Sequence, residues 1–118
     1  MDERLKEIAR AADGKQAADI IVLDVSEISS IADYFVFCSG INVRQTKTIA
    51  EAIEERLAAG RTRPLHIEGE TAGSWVLMDY GDIIVHIFMP EAREFYDLEG
   101  LWGDAAAVPV EELLGEAV

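Results

Sequence analysis

Two short apolar runs constrain this chain more than any other feature: Ile20 to Val25 and Tyr34 to Cys38. Each is rich in β-branched or aromatic residues, bounded by polar or turn-forming residues, and too short for a buried helix. Such runs read as strands covered on both faces, and a covered strand implies helices packed on its sheet. The remaining chain supplies them. Leu5, Ile8, Ala9 and Ala12 keep helical spacing and Gly14 ends the pattern. Asn42 can cap a second helix whose stripe runs Val43, Thr46, Ala50, Ile53 and Leu57, with Gly60 as the stop. Pro64 to Ile67 reads as a short strand at a sheet edge, because proline cannot donate to a ladder. Trp75 to Met78 and Ile83 to Phe88 read as a hairpin, and Pro90 opens a helix through Phe95 and Tyr96.

The expected order is α-β-β-α-β-β-β-α. It makes one α/β domain with a mixed sheet of about five strands and helices on at least one face. The domain is expected to span residues 1–102. Residues 103–118 are Ala-rich and acidic and read as an appended tail, with a loose turn around Leu113 and Leu114.

The charge distribution narrows the functional classes. The net charge is −13, and it is uneven. Residues 1–63 hold eleven acids and nine bases, whereas residues 64–118 hold twelve acids and one base, Arg93. Phosphate backbones are bound through Lys and Arg, so direct nucleic-acid binding is not expected from the second half. Acidity serves solubility as readily as it serves a basic partner, and by itself decides neither. No apolar run approaches the roughly 20 residues of a membrane span. A single cysteine, Cys38, allows no internal disulfide and reads as a small core residue, which fits a reducing, cytoplasmic setting.

The hairpin gives the acidity a direction. With a two-residue loop at Tyr80-Gly81, or a four-residue loop spanning Asp79 to Asp82, Met78 is expected opposite Ile83 and Trp75 opposite His86. Alternation then puts Val76, Met78, Ile83 and Val85 on one face, which belongs to the core. Trp75, Leu77, Asp79, Asp82, Ile84 and His86 share the other. An aromatic anchor beside charges on such a face is typical of interfaces. Simpler readings exist for each part. A Trp–His contact is commonly cross-strand packing, turn aspartates are commonly solvated, and Gly81 commonly serves a positive φ.

Chemistry is thinly represented. Walker, GxGxxG and HExxH patterns are absent, and no His, Asp and Glu fall at metal-site spacing. Asp79 and Asp82 could share a divalent ion, but no phosphate cradle accompanies them. Neither a cofactor nor a metal is expected.

Longer motifs carry a family resemblance. Asp19-Ile-Ile-Val-Leu-Asp-Val25, Ser30, Asp33 and Ser39-Gly40 lie in the first half. Glu68-Gly69, Trp75, Asp79-Tyr-Gly-Asp-Ile-Ile-Val-His86 and Arg93-Glu-Phe-Tyr-Asp-Leu-Glu-Gly-Leu-Trp102 follow. Together these resemble the ribosomal silencing factor, or Iojap-like, family over about residues 5–102. The resemblance implies an α/β fold related to nucleotidyltransferases but without known transferase activity. It implies binding to the large ribosomal subunit through ribosomal protein uL14, obstruction of small-subunit joining, and repression of translation. It also implies a homodimer, and organellar relatives add a part in large-subunit assembly. Carried onto this chain, the contact residues would be Trp75, Asp79, Asp82 and His86, with Glu68, Glu70 and Tyr80 beside them.

Overall fold

A computed structural model describes residues 2–115. Its elements, in chain order, begin with α1 (Glu3–Gly14), β1 (Ala18–Asp24), β2 (Tyr34–Ser39) and α2 (Val43–Ala59). They continue with β3 (His66–Glu68), β4 (Trp75–Asp79), β5 (Ile83–Phe88), α3 (Pro90–Tyr96) and α4 (Leu98–Leu101). The last two are β6 (Ala106–Val108) and α5 (Val110–Gly115). The helix starts follow local chemistry. The Asp2 carboxylate accepts the Arg4 N–H at the head of α1, and the Asn42 side chain accepts the Gln45 N–H at the head of α2. No helix among the described residues is long and apolar enough to cross a membrane.

The sheet has six strands in the order β3-β4-β5-β2-β1-β6. Only β2 and β5 run parallel, with Tyr34 beside Ile83 and Ser39 beside Phe88. The four other pairings are antiparallel. The α/β expectation holds, and the count rises from about five to six. The added strand is β6, whose Ala107 pairs with Leu23 of β1. Both β6 and α5 lie beyond the expected boundary at residue 102, yet they belong to the same sheet and core. Leu113 of α5 is fully buried against the cluster that includes Leu5 and Ile8 of α1. Residues 116–118 of the expected tail lie outside the described residues.

Strand alternation separates two cores. On one face Val22, Val36, Cys38, Val76, Met78, Val85 and Ile87 meet Ile49, Ile53 and Leu57 of α2 and the buried side of α1. On the other, Leu23, Phe35, Phe37 and Phe88 form an aromatic layer, with Ala92, Leu98 and Trp102 packed on it. Arg93 fastens α3 and α4 over this second face. Its guanidinium donates to the Ser39 hydroxyl at 2.8 Å and to the Asp19 carbonyl at 2.8 Å, and pairs with Glu99 at 2.6 Å.

The hairpin register differs from the sequence expectation. Met78 pairs with Val85 and Trp75 with Phe88, so β5 is displaced by two residues relative to β4. The cause is Tyr80, which stays in the ladder: its N–H donates to the Ile83 carbonyl at 2.9 Å. Only Gly81 and Asp82 remain to turn. The Asp79 carboxylate accepts the Gly81 N–H at 2.7 Å, and Gly81 adopts φ +91, as a two-residue hairpin turn requires at its first central position. A slip of two residues preserves parity, so each face keeps the members expected of it.

Candidate functional site

The second face is only partly covered. The helices α3 and α4 shield its middle, while Trp75, Leu77 and Asp79 of β4 and Ile84 of β5 stay half-buried. β3 extends this open area with His66 and Glu68, both exposed, opposite Asp79 and Leu77. Tyr96 borders it from α3, half exposed, its ring 4.7 Å from that of Trp75. The result is an apolar strip of Trp75, Leu77 and Ile84 with carboxylates along one side.

Trp75 is the best-fixed member. Its indole packs on Phe88 at 5.1 Å, and its Nε1–H donates to His86 Nδ1 at 3.2 Å. His86 itself is 6% exposed. Its ring lies parallel to those of Phe37, at 5.0 Å, and Phe88, at 6.0 Å, with Phe35 edge-on at 5.6 Å. Burial among these rings pushes its pKa down to about 4, because desolvation disfavours the imidazolium. The imidazole is therefore neutral near pH 7. Since Nδ1 accepts from the indole, the proton resides on Nε2. His86 belongs to the floor of the face and not to its surface.

The other expected contact residues are placed variously. Asp79 lies on the face, 3.8 Å from His66 Nδ1, while His66 Nε2 meets Glu68 at 2.8 Å. Glu68 and Glu70 are exposed. Glu70 belongs to the loop before β4, which is drawn tight at Gly69: a Cβ there would fall 2.0 Å from the Trp75 carbonyl oxygen. Asp82 is at the turn, but Arg4 of α1 binds both of its oxygens, at 2.9 and 2.5 Å. That guanidinium holds the Asp82 carboxyl below the usual carboxylate range. Its charge is already answered within the molecule. Tyr80 points to the opposite, helix-covered face, where it is 7% exposed and its hydroxyl is pushed up to about 12 by desolvation and the charge of Glu54. The surface therefore unites Trp75, Asp79 and Glu68, with Glu70 in the adjoining loop. It leaves His86 beneath, Asp82 tied to α1, and Tyr80 behind.

Tyr96 and His66 join the site without being expected there from the sequence. His66 follows from pairing β3 with β4, which needs the register of an edge strand. No local pattern brings Tyr96 to Trp75, because that contact depends on how α3 crosses the sheet.

The arrangement suits a macromolecular surface better than a reaction. A groove of about 520 Å³ does exist, but it lies between α1 and α2, lined by Arg10, Lys15, Glu51, Glu55 and Arg56 among others. On the strand face, half-exposed apolar side chains with an aromatic anchor and adjacent acids offer complementarity to a basic protein. No group of three or more metal-ligating side chains occurs among the described residues.

Known proteins share this architecture. The chain matches the family model described as "Ribosomal silencing factor during starvation" over residues 1–117. It is 43% identical over 101 residues to ribosomal silencing factor RsfS of Bacillus subtilis, covering 86% of each chain. To RsfS of Zymomonas mobilis it is 42% identical over 110 residues, covering 92% of this chain and 83% of the relative. A crystal structure of a Chromobacterium violaceum protein superposes with a TM-score of 0.84 at 34% identity, over 87% of this chain and 88% of that one. The match passes through β6 and α5. The chain belongs to the family of ribosomal silencing factors, ribosome-binding proteins and not enzymes.

Proposed function

We propose that this protein docks on the large ribosomal subunit through ribosomal protein uL14, using the open face of β3, β4 and β5, and that its body then obstructs the small subunit. The observation that carries the reading is the half-exposed Trp75, fixed by its neighbours on a face that also carries Asp79 and Glu68. An anchor of this kind supplies binding energy, and the acids select a basic partner and steer its approach. The acid surplus of residues 64–118 supports the same reading. Steric obstruction needs no catalytic group, which suits a face without one.

A subunit-joining assay on sucrose gradients tests this directly. Added protein should lower the fraction of joined ribosomes, and Asp79→Lys with Glu68→Lys should remove the effect. Asp82 is left out of the variant because its pairing with Arg4 would confuse loss of contact with loss of stability. Undiminished inhibition by the double variant would move the docking surface elsewhere.

A homodimer is the second part of the proposal. Phe95 and Leu101 are 80% and 73% exposed on α3 and α4, large apolar side chains that a second copy could cover. Light scattering at micromolar concentration should give twice the 13.0 kDa chain mass. A monomer throughout would remove this part alone.

One relative favours a further reading. The chain is 33% identical over 91 residues, 75% of its own length and 40% of the other's, to a mouse protein named "Mitochondrial assembly of ribosomal large subunit protein 1". A role in large-subunit assembly predicts precursor particles after depletion of this protein, whereas obstruction of joining alone predicts normal subunits.

A further inference from the structure

Trp75 and His86 form a pair that reaches from the open face into the core. The indole has one hydrogen-bond donor, Nε1–H, and no acceptor. That donor is taken up within the molecule by His86 Nδ1 at 3.2 Å. His86 cannot readily turn away, since Phe35, Phe37 and Phe88 enclose its ring and only 6% of the residue is exposed. The indole is bounded besides by Phe88 at 5.1 Å and Tyr96 at 4.7 Å. What Trp75 still offers outward is hydrocarbon and π surface, held in one orientation. Along the same face Leu77 follows Trp75 on β4, with Glu68 of β3 opposite Leu77, and Asp79 lies one step further, opposite Ile84.

We propose that His86 is a positioning residue that consumes the indole N–H of Trp75, so that Trp75 meets the ribosomal partner only as a π and hydrocarbon surface, suited to a stacked Arg or Lys side chain. The proposal rests on the docking face described above and specifies its chemistry. A cation over an indole is attracted by the ring quadrupole. The carboxylates of Asp79 and Glu68, further along the same face, draw a basic partner toward it. A partner offering a carbonyl acceptor to the indole would find no free donor. Removing His86 would leave the N–H without its acceptor, and an unsatisfied polar group beneath an interface costs affinity or lets the ring swing out.

The test combines two readouts. Heteronuclear NMR resolves the two indole N–H groups of the chain, those of Trp75 and Trp102, and a Trp102→Phe background assigns them. The Trp75 resonance should show the downfield shift of a strong hydrogen bond, move in His86→Phe, and return toward its place in His86→Asn, whose amide oxygen can accept in place of Nδ1. Affinity for purified large subunits should fall about tenfold in His86→Phe, the order expected from one unsatisfied donor, and stay within about threefold in His86→Asn. Added large subunit should leave the Trp75 indole hydrogen bonded to His86, and loss of that bond on binding would mean that the indole donates to the partner, and the proposal would fall. Unchanged affinity in His86→Phe would overturn it equally. The wild-type resonance stands as a check even if a variant folds poorly, because a free-indole shift there contradicts the internal hydrogen bond. Full binding by Trp75→Ala would instead refute the docking face itself, leaving the His86–Trp75 hydrogen bond to be judged by NMR.

Discussion

The two faces of the sheet are built from the same strands and do different work. On the α1–α2 face, residues such as Val76, Met78, Val85, Ile53 and Ile49 are fully buried and aliphatic or thioether in character. On the α3–α4 face the layer is aromatic, and its β4 side remains half-exposed at Trp75 and Leu77. Aliphatic packing gains from complete exclusion of water, so that face is closed and contributes mainly to stability. Aromatic side chains keep a defined shape with one side exposed, so the second face can remain open and still be rigid. Stability and recognition are thus divided by strand parity.

This division can be broken most severely through the closed face. Ile53→Ala should cost about 2–5 kcal/mol, by lost transfer energy and the cavity left behind. Trp75→Ala should cost visibly less stability while removing large-subunit binding. Urea titrations of both variants, set against co-sedimentation, decide the matter, and equal destabilisation by the two would erase the distinction between faces.

Acid sharpens the comparison at an intermediate level. His86 has its pKa lowered from 6.5 to about 4, so between those values the unfolded chain binds a proton that the folded one refuses. Stability therefore falls as pH drops through that window, by about 3 kcal/mol at most, and is fully present above it. His86→Phe should flatten the thermal-stability profile between pH 6.5 and 4. An unchanged slope would mean that His86 is not held neutral by burial. The carboxylates act lower: Asp82, held below 3.8 by Arg4, keeps its contribution above that pH and loses it as pH falls further.

The smallest effect belongs to that ion pair. Asp82→Asn should lower stability by about 1 kcal/mol or less, since both side chains are partly solvated. It should leave large-subunit binding nearly untouched if Asp82 serves α1 rather than the partner. A tenfold loss of affinity at constant stability would return Asp82 to the contact surface.

Much of this was legible in the residues, for identifiable reasons. Parity is robust: a register error of two residues left Trp75, Asp79 and Ile84 on their correct face. The register itself was not legible, because it depends on Tyr80 being drawn under α2, a tertiary contact with no local signature. Burial of His86 was hidden likewise, since its cover comes from Phe35 and Phe37 on β2, a strand remote in sequence. The compensation of Asp82 by Arg4 joins residues 78 positions apart. Charge counts along the chain could not foresee it. The strand Ala106–Val108 escaped because three small residues carry no period, and only the vacant side of β1 gives them a role.

That last strand has a consequence for how the protein is made. A ribosome delivers β1 early and β6 much later, so the nascent chain carries an unpaired row of backbone groups along β1 throughout the interval. Such a row is a template for misplaced strands from other chains. Leu113, arriving later still, seals the α1 side of the same corner. The order of synthesis thus makes completion of the sheet a late event, and this edge stays open to misplaced strands until β6 has left the ribosome and paired with β1.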